Sequence, residues 1–411
     1  MKEELPVSQQ SLPGPMDLPV VPSARMRIGK VRGALSLKRS IRLGVVAFFF
    51  TQGLCFSSWA SRIPDIKNMF GLSDAGLGSI LFALPLGSMS SLPLSGWMVT
   101  RFGSKKMVIA GALLYVLTLL MIGLTATIWQ LAVTLFLFGL VGNLVNIAVN
   151  TQAIGVENMY KKSIMASFHG AWSLAGFTGA AIGALMVSMN VGPSLHFMSI
   201  ALIALLLILG TQRFTLRGKL SSAAQPFFAI PDNPLLRLGL IGFCGMACEG
   251  TMFDWSGVYF QKVVHAPVVL TTLGYVVFMT TMAGGRFGGD WLANRIGRKK
   301  MIELSGILIA SGLLISVIFP YIVSATIGFL LVGFGVSSVV PLVYSAAGKS
   351  RTLSPGMALA AVSTISFFGF LIGPPLIGFI AEAANLRYSF AVIAGLGLCT
   401  TILASKAKLI Q

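Results

Sequence analysis

Two carboxylates stand in "EGTMFDWSGVY" (residues 249 to 259), directly after "LLRLGLIGFCGMAC", a run with no acid of its own. An ionised carboxylate in an apolar helix is disfavoured by several kcal/mol, so it is held protonated or paired. Glu249 therefore reads as a group that takes a coupling proton, a substrate hydroxyl or both. The alternative is a protonated acid hydrogen-bonded to a neighbouring helix. Counted from Leu235, Glu249 lies ~20 Å and Asp254 ~28 Å along a helix at 1.5 Å per residue. Five residues at about 100° each put the two acids about 140° apart, so one straight helix cannot aim both at one spot.

A second constellation is "VGNLVNIAVNTQ", where Asn143, Asn146 and Asn150 fall at i, i+3 and i+7, on one helical face. Three amides in a stripe can hydrogen-bond several hydroxyls without adding charge, which suits a cavity for a polyhydroxy solute. They could equally bond between helices, at ~0.6 kcal/mol per contact. His169 and Trp172 in "SFHGAWS" share a face of another helix. The histidine reads as a satisfied polar group or as a proton relay. One of Trp59, Trp172 and Trp255 could stack on the apolar face of a sugar, or serve in packing or an interfacial belt.

The elements that hold these residues are membrane spans. Of 411 residues, 55% are hydrophobic and 10% charged, with a mean hydropathy of +0.85; a soluble domain carries about 25% charge. Twelve apolar runs are each long enough to cross a bilayer: about 41–62, 75–98, 105–124, 129–152, 163–189, 194–213, 235–260, 270–292, 300–320, 324–347, 356–381 and 387–405. The formal charge of +18 does not point to nucleic acid, because the basic residues form short clusters between spans. With the N-terminus inside, "RFGSKK", "YKK", "RFTLRGK", "NRIGRKK" and "GKSR" fall on the cytoplasmic side. The opposite side carries Arg62, Lys67, Lys262 and Arg387, and Arg286 alone lies well inside a span. Cys244 and Cys248, one turn apart, have no third or fourth ligand nearby and read as buried thiols rather than a metal pair.

Residues 1–40, with five prolines and the basic run "RMRIGKVRGALSLKRSIR", read as a disordered cytoplasmic tail. The Pro-rich stretch 214–234 reads as a linker between six-helix bundles at 41–213 and 235–411. Internal repetition supports the division: "RFGSKKM" at 101–107 recurs as "RIGRKKM" at 295–301, and "SSWAS" pairs with "FDWSG" at nearly the same offset. Two parallel six-helix repeats are the organisation of an alternating-access transporter, with its site where the halves meet. In such a repeat the first and seventh spans correspond, so Arg62 and Asp254 are expected to form an ion pair that gates the outer face. Asp65 competes for Arg62, which could also reach lipid headgroups.

"GWMVTRFGSKK" (96–106) and "DWLANRIGRKK" (290–300) resemble the loop motif of the major facilitator superfamily. The resemblance assigns Gly96, Arg101, Gly103, Arg295 and Gly297 to a tight, basic cytoplasmic turn. Thr100 and Asn294 occupy the motif's usual acid slot, and Arg286 with Asp290, one turn apart, offers a substitute ion pair. A closer resemblance, to the YbjJ-like branch related to the fucose permease group, rests on "SWASRIPDIK", "SFHGAWSLAG", "EGTMFDWSGVY" and "FGFLIGPPLIG". It implies a secondary transporter of the bacterial inner membrane, for a sugar or other small polar solute driven by protons. A multi-pass monomer with both termini cytoplasmic is expected from the basic clusters, with no cofactor beyond the proton.

The expected fold is thus all-α, with twelve transmembrane helices in two six-helix repeats. The expected function is secondary active transport of a small polar solute, such as a sugar, with the lipid bilayer and the solute as partners. Efflux of amphipathic compounds and a non-transporting membrane sensor are the alternatives. An enzyme is not expected, because His169 has no adjacent acid and no nucleophile–base spacing is present.

Overall fold

The computed structural model describes residues 31–160, 164–216, 232–347, 350, 352–353 and 355–407. Two compact units are distinguished, residues 1–40 and residues 41–411. The first thirty residues and most of the 214–234 stretch, where the tail and linker were expected, lie outside the described residues.

The chain is helical throughout the described residues. It runs through α1 (Val31–Ala60), the short α2 (Ile63–Met69), then α3 (Asp74–Leu81), α4 (Ala83–Ser90) and α5 (Leu92–Phe102). Next come α6 (Ser104–Gly123), α7 (Ile128–Tyr160), α8 (Met165–Ser188) and α9 (Pro193–Thr211). After the central connection follow α10 (Asn233–Lys262), α11 (Leu273–Ile296), α12 (Arg298–Ile318), α13 (Ile322–Ala347), α14 (Pro355–Ala383) and α15 (Leu386–Ser405). Eleven helices among the described residues are long and apolar enough to cross a membrane, and α3 to α5 supply a twelfth, bent by 43°. The expected all-α membrane fold is present.

Two boundaries differ from the sequence expectation. Helix α1 starts at Val31, so residues 31–40, expected in the disordered tail, are helical. The expected continuous span 75–98 is broken at Phe82 and Ser91. Pro85 and Pro93 lie just beyond those breaks; each lacks an amide proton and its ring crowds the carbonyl four residues back, which interrupts the ladder there.

Helix starts are fixed locally. The Ser73 hydroxyl accepts from the Gly76 amide at 3.1 Å, the Asp232 carboxylate from Leu235 at 2.9 Å, and the Asn385 side chain from Tyr388 at 3.1 Å. These caps satisfy amides that the first turn leaves unpaired. The repeated loop motif has a repeated geometry: Gly103 sits at φ 86°, ψ 144° and Gly297 at φ 85°, ψ 147°. That region is essentially closed to residues with a Cβ. Each glycine turns the chain from one span directly into the next, α5 into α6 and α11 into α12.

The acid slot of the first motif copy is satisfied without charge, as Thr100 Oγ1 donates to the Gly96 carbonyl at 2.9 Å. Arg101 lies exposed at the end of α5, and the Arg295 guanidinium lies 4.3 Å from the Trp291 ring centroid. Arg286, assigned to the same motif on the expectation of a pair with Asp290, is turned inward and bound elsewhere; the Asp290 side chain lies outside the described residues.

Gly103→Ala and Gly297→Ala are each expected to destabilise by ~1–3 kcal/mol through backbone strain. Gly284→Ala, on α11 with open space around its Cα, is expected to hold or raise the melting temperature. Thermal melts of the three variants check this.

Candidate functional site

Residues 41–411 enclose a cavity of about 540 Å³. All six residues expected at the binding site line it: Glu249, Asn143, Asn146, Asn150, His169 and Trp172. Asp254 and Arg286 line it too. Helical periodicity explains the asparagine stripe, since α7 is continuous over these positions and presents them on one side.

The amides are partly pre-positioned. Asn143 Nδ2 donates to Ser91 Oγ at 2.9 Å, and Ser91 stands at the break between α4 and α5. Asn150 Nδ2 donates to the Asn146 carbonyl at 2.8 Å and to Asn146 Oδ1 at 2.5 Å. This leaves Asn146 Nδ2 and Asn150 Oδ1 as a donor and an acceptor without partners among the described residues. Gln52 on α1 donates to the Gly142 carbonyl at 2.9 Å, and its own carbonyl oxygen is a further acceptor at the cavity wall.

Glu249 is buried and ion-paired. Its Oε1 accepts from Arg286 Nη2 at 2.9 Å, across from α10 to α11. Arg286 Nη1 donates to Ser173 Oγ on α8 at 3.1 Å, and the guanidinium lies 5.8 Å from the Trp172 ring centroid. One arginine thus ties α11 to both α10 and α8 at the cavity wall. This answers the cost of burying Glu249, since removing one member of a buried pair leaves the other charge uncompensated at ~3–5 kcal/mol; the expected partner Asp290 has its side chain outside the described residues. His169 is exposed to the cavity, with Phe49 edge-on at 5.4 Å. Trp172 is the one cavity-lining tryptophan of the three considered, for Trp59 and Trp255 are fully buried away from it.

The expected gate pair of Arg62 and Asp254 is not formed. Arg62 is 2% exposed and bound on every side: Nη1 to Asp65 at 2.8 Å, Nε to His196 Nδ1 at 3.0 Å, and Nη2 to the Val191 carbonyl at 2.7 Å. The local acid three residues on wins, and His196 on α9 with Val191 just before that helix supplies the rest. The acid–base contact between the corresponding parts of the chain is made by other residues. Asp74, at the start of α3, accepts from Lys262 at the end of α10 at 2.8 and 3.0 Å, and pairs with Lys67 on α2 at 2.9 Å. Burial pushes the Lys67 amine below its ordinary pKa, while the hydrogen bond and charge of Asp74 oppose the shift.

From α14, Glu382 Oε2 accepts the Asp74 and Ala75 amides at 3.0 and 3.3 Å, a carboxylate on the positive end of α3. Just below, α3 and α14 approach backbone to backbone: a Cβ on Gly78 would lie 2.7 Å from the Pro374 carbonyl oxygen. Two helices early in the chain and two late ones are thereby latched at one end of the bundle. Sequence reasoning missed the roles of Asp74, Lys262 and Glu382; the visible signal was an acid directly after the capping Ser73, and a lysine closing the span that holds Glu249 and Asp254.

The matching family model is the Major Facilitator Superfamily, over residues 43–354. The chain is similar to an uncharacterised MFS-type transporter of Yersinia pestis, at 32% identity over 90% of this chain and 96% of that protein. In fold it is similar to the D-xylose-proton symporter (TM-score 0.73, 12% identity, 90% of this chain and 97% of that one). A variant of the nucleoside transporter NupG aligns equally well (TM-score 0.73, 12% identity, 90% and 100%).

Asp74→Asn is expected to lower stability by ~3 kcal/mol, because it strands the buried Lys67 amine. Lys262→Ala is expected to cost under ~1 kcal/mol, since that amine is exposed. Hydrogen exchange at 74–81 and 374–382 should accelerate in Asp74→Asn; unchanged exchange there would contradict the latch.

Proposed function

The chain belongs to the major facilitator superfamily, and from that premise we propose that it moves a small polar solute across the bacterial inner membrane by alternating access, coupled to protons. The observation that carries the reading is the convergence of the asparagine stripe and the Glu249–Arg286 pair on one cavity latched at one end. In this reading residues 41–213 and 235–411 are the two moving halves, and the cavity is their shared site. The closer kinship with the YbjJ-like branch, a monomeric state and symport as the mode belong to the same reading.

Orientation follows the charges. With both termini cytoplasmic, the latched end holding Asp74, Lys262 and Glu382 is periplasmic, and the cavity serves the inward-facing half of the cycle. The donor Asn146 Nδ2 and the acceptors on Asn150 and Gln52 suit a ligand of hydroxyls or carbonyls, which both gives and takes hydrogen bonds. Glu249 is the coupling residue of this scheme. A proton on its carboxylate removes the charge that holds Arg286, and the guanidinium, still held by Ser173, is freed to turn toward the solute. Solute and proton thereby act on one switchable contact between α8, α10 and α11.

One feature favours a second reading. Phe253 meets Phe56 edge-on at 5.2 Å, Phe370 in parallel at 6.2 Å and Trp172 edge-on at 6.4 Å, so part of the cavity is an aromatic wall suited to amphipathic compounds and their efflux.

The melting temperature of the purified protein, recorded with sugars, sugar acids, polyols, nucleosides and amphipathic drugs at pH 6 and pH 8, separates these. A ligand at one hundred times its Kd stabilises by about 2.7 kcal/mol. A polar ligand is expected to act more strongly at pH 6, and Glu249→Gln is expected to abolish the difference. A polar ligand indifferent to both pH and Glu249→Gln would sink proton coupling through Glu249, and a response to amphipathic drugs alone would favour efflux.

A further inference from the structure

The cavity holds a second carboxylate that the ion pair leaves unused. Asp254 lines the cavity, is partly exposed to it, and has no hydrogen-bond or ion-pair partner among the described residues. The basic side chains on the adjoining elements are committed elsewhere: Arg286 to Glu249 and Ser173, Arg62 to Asp65 and His196, and Lys262 to Asp74. Eight residues separate Asp254 from Lys262, so it lies ~12 Å along α10 from the latch, and Glu249 lies ~20 Å from it. Asp254 therefore stands toward the blind end of the cavity, beyond the ion pair.

Aromatic rings line the same cavity. Phe253, the preceding residue, packs against Phe56, Phe370 and Tyr275 with ring centroids 5.2 to 6.3 Å apart, and Phe56 and Phe370 also line the cavity. An unpaired carboxyl group in a low-dielectric cavity is a poor host for an anion. It suits an ammonium group, which the carboxylate meets by charge and the rings by their negative faces. Glu249 and Arg286 offset one another at the wall, whereas Asp254 has no counter-charge of its own and becomes ionised when a cationic ligand supplies one.

We propose that the solute carries a protonated amine, bound by Asp254 among Phe56, Phe253 and Phe370, while its hydroxyl or carbonyl groups are read by Asn146, Asn150 and Gln52. This rests on the reading of the cavity as the solute site and adds to it a substrate class, a hydroxylated organic cation. Asp254 is then a specificity determinant rather than half of a gate.

The test uses matched pairs that differ in the amine alone: glucosamine with glucose, ethanolamine with ethylene glycol, and tyramine with its alcohol analogue tyrosol. Apparent Kd values come from melts of the full-length protein in detergent at pH 7 and fixed ionic strength. At least one amine is expected to bind ten-fold or more tightly than its neutral partner, and Asp254→Asn is expected to erase that preference while sparing the neutral partner. A footprint on the unmodified protein keeps the test independent of the variant's folding. Water-soluble carbodiimide with glycine ethyl ester should label Asp254, and the N,N-dimethyl form of the preferred amine, which stays cationic but cannot form an amide, should protect it while the neutral partner does not. No amine preference in any pair, a preference that survives Asp254→Asn, or labelling that the amine leaves unchanged would overturn the assignment. Neutral sugars binding better at pH 6 with no gain from the amines would leave the proposed transport standing and remove this substrate class alone.

Discussion

A carboxylate and a guanidinium buried at the level of the membrane interior must find each other, and in this protein Glu249 and Arg286 do, at 2.9 Å. Lipid offers neither group a partner, so the pair fixes how three helices meet. Helix α11 must bring Arg286 to α10, and α8 must offer Ser173 and Trp172 to the rest of the guanidinium. A cavity then persists between these helices and α7, because the polar stripe on α7 and the charged wall opposite do not collapse onto each other as apolar faces would. The site follows from where charge is allowed to sit.

The opposite requirement governs the latched end. A transporter must open what it closes, and contacts that water can replace are easier to exchange than an apolar seam. Asp74 answers both needs: it is shared between Lys67, which is buried, and Lys262, which is partly exposed, and its helix start is capped by Glu382 from across the bundle. The glycines at 78 and 378 let the two backbones touch there without interlocking side chains. Charge joins the elements at this end, and the small residues let their backbones meet.

What could be read from the sequence was what depends on local periodicity. Apolar runs give the spans through bilayer thickness, the i, i+3, i+7 spacing gives the asparagine face, and the paired motifs around Gly103 and Gly297 proved to share one backbone conformation. What failed depended on partners distant in sequence. Arg286 pairs with Glu249, 37 residues back on another helix, a partner that spacing along the chain does not mark. Arg62 was matched to Asp254 through the repeat, but Asp65 and His196 had already satisfied it. The breaks at Phe82 and Ser91 were signalled by Pro85 and Pro93, yet apolar composition alone drew a straight span through them.

A double-mutant cycle on Glu249 and Arg286 tests the central claim most directly, with unfolding free energy as the readout for the unmodified protein, Glu249→Gln, Arg286→Met and the double variant. If the pair is the constraint that positions α8, α10 and α11, each single change strands a buried charge and the double change restores much of the loss, giving a coupling of ~2 kcal/mol or more. Losses that add to within ~0.5 kcal/mol would contradict the account and make the contact incidental to the fold.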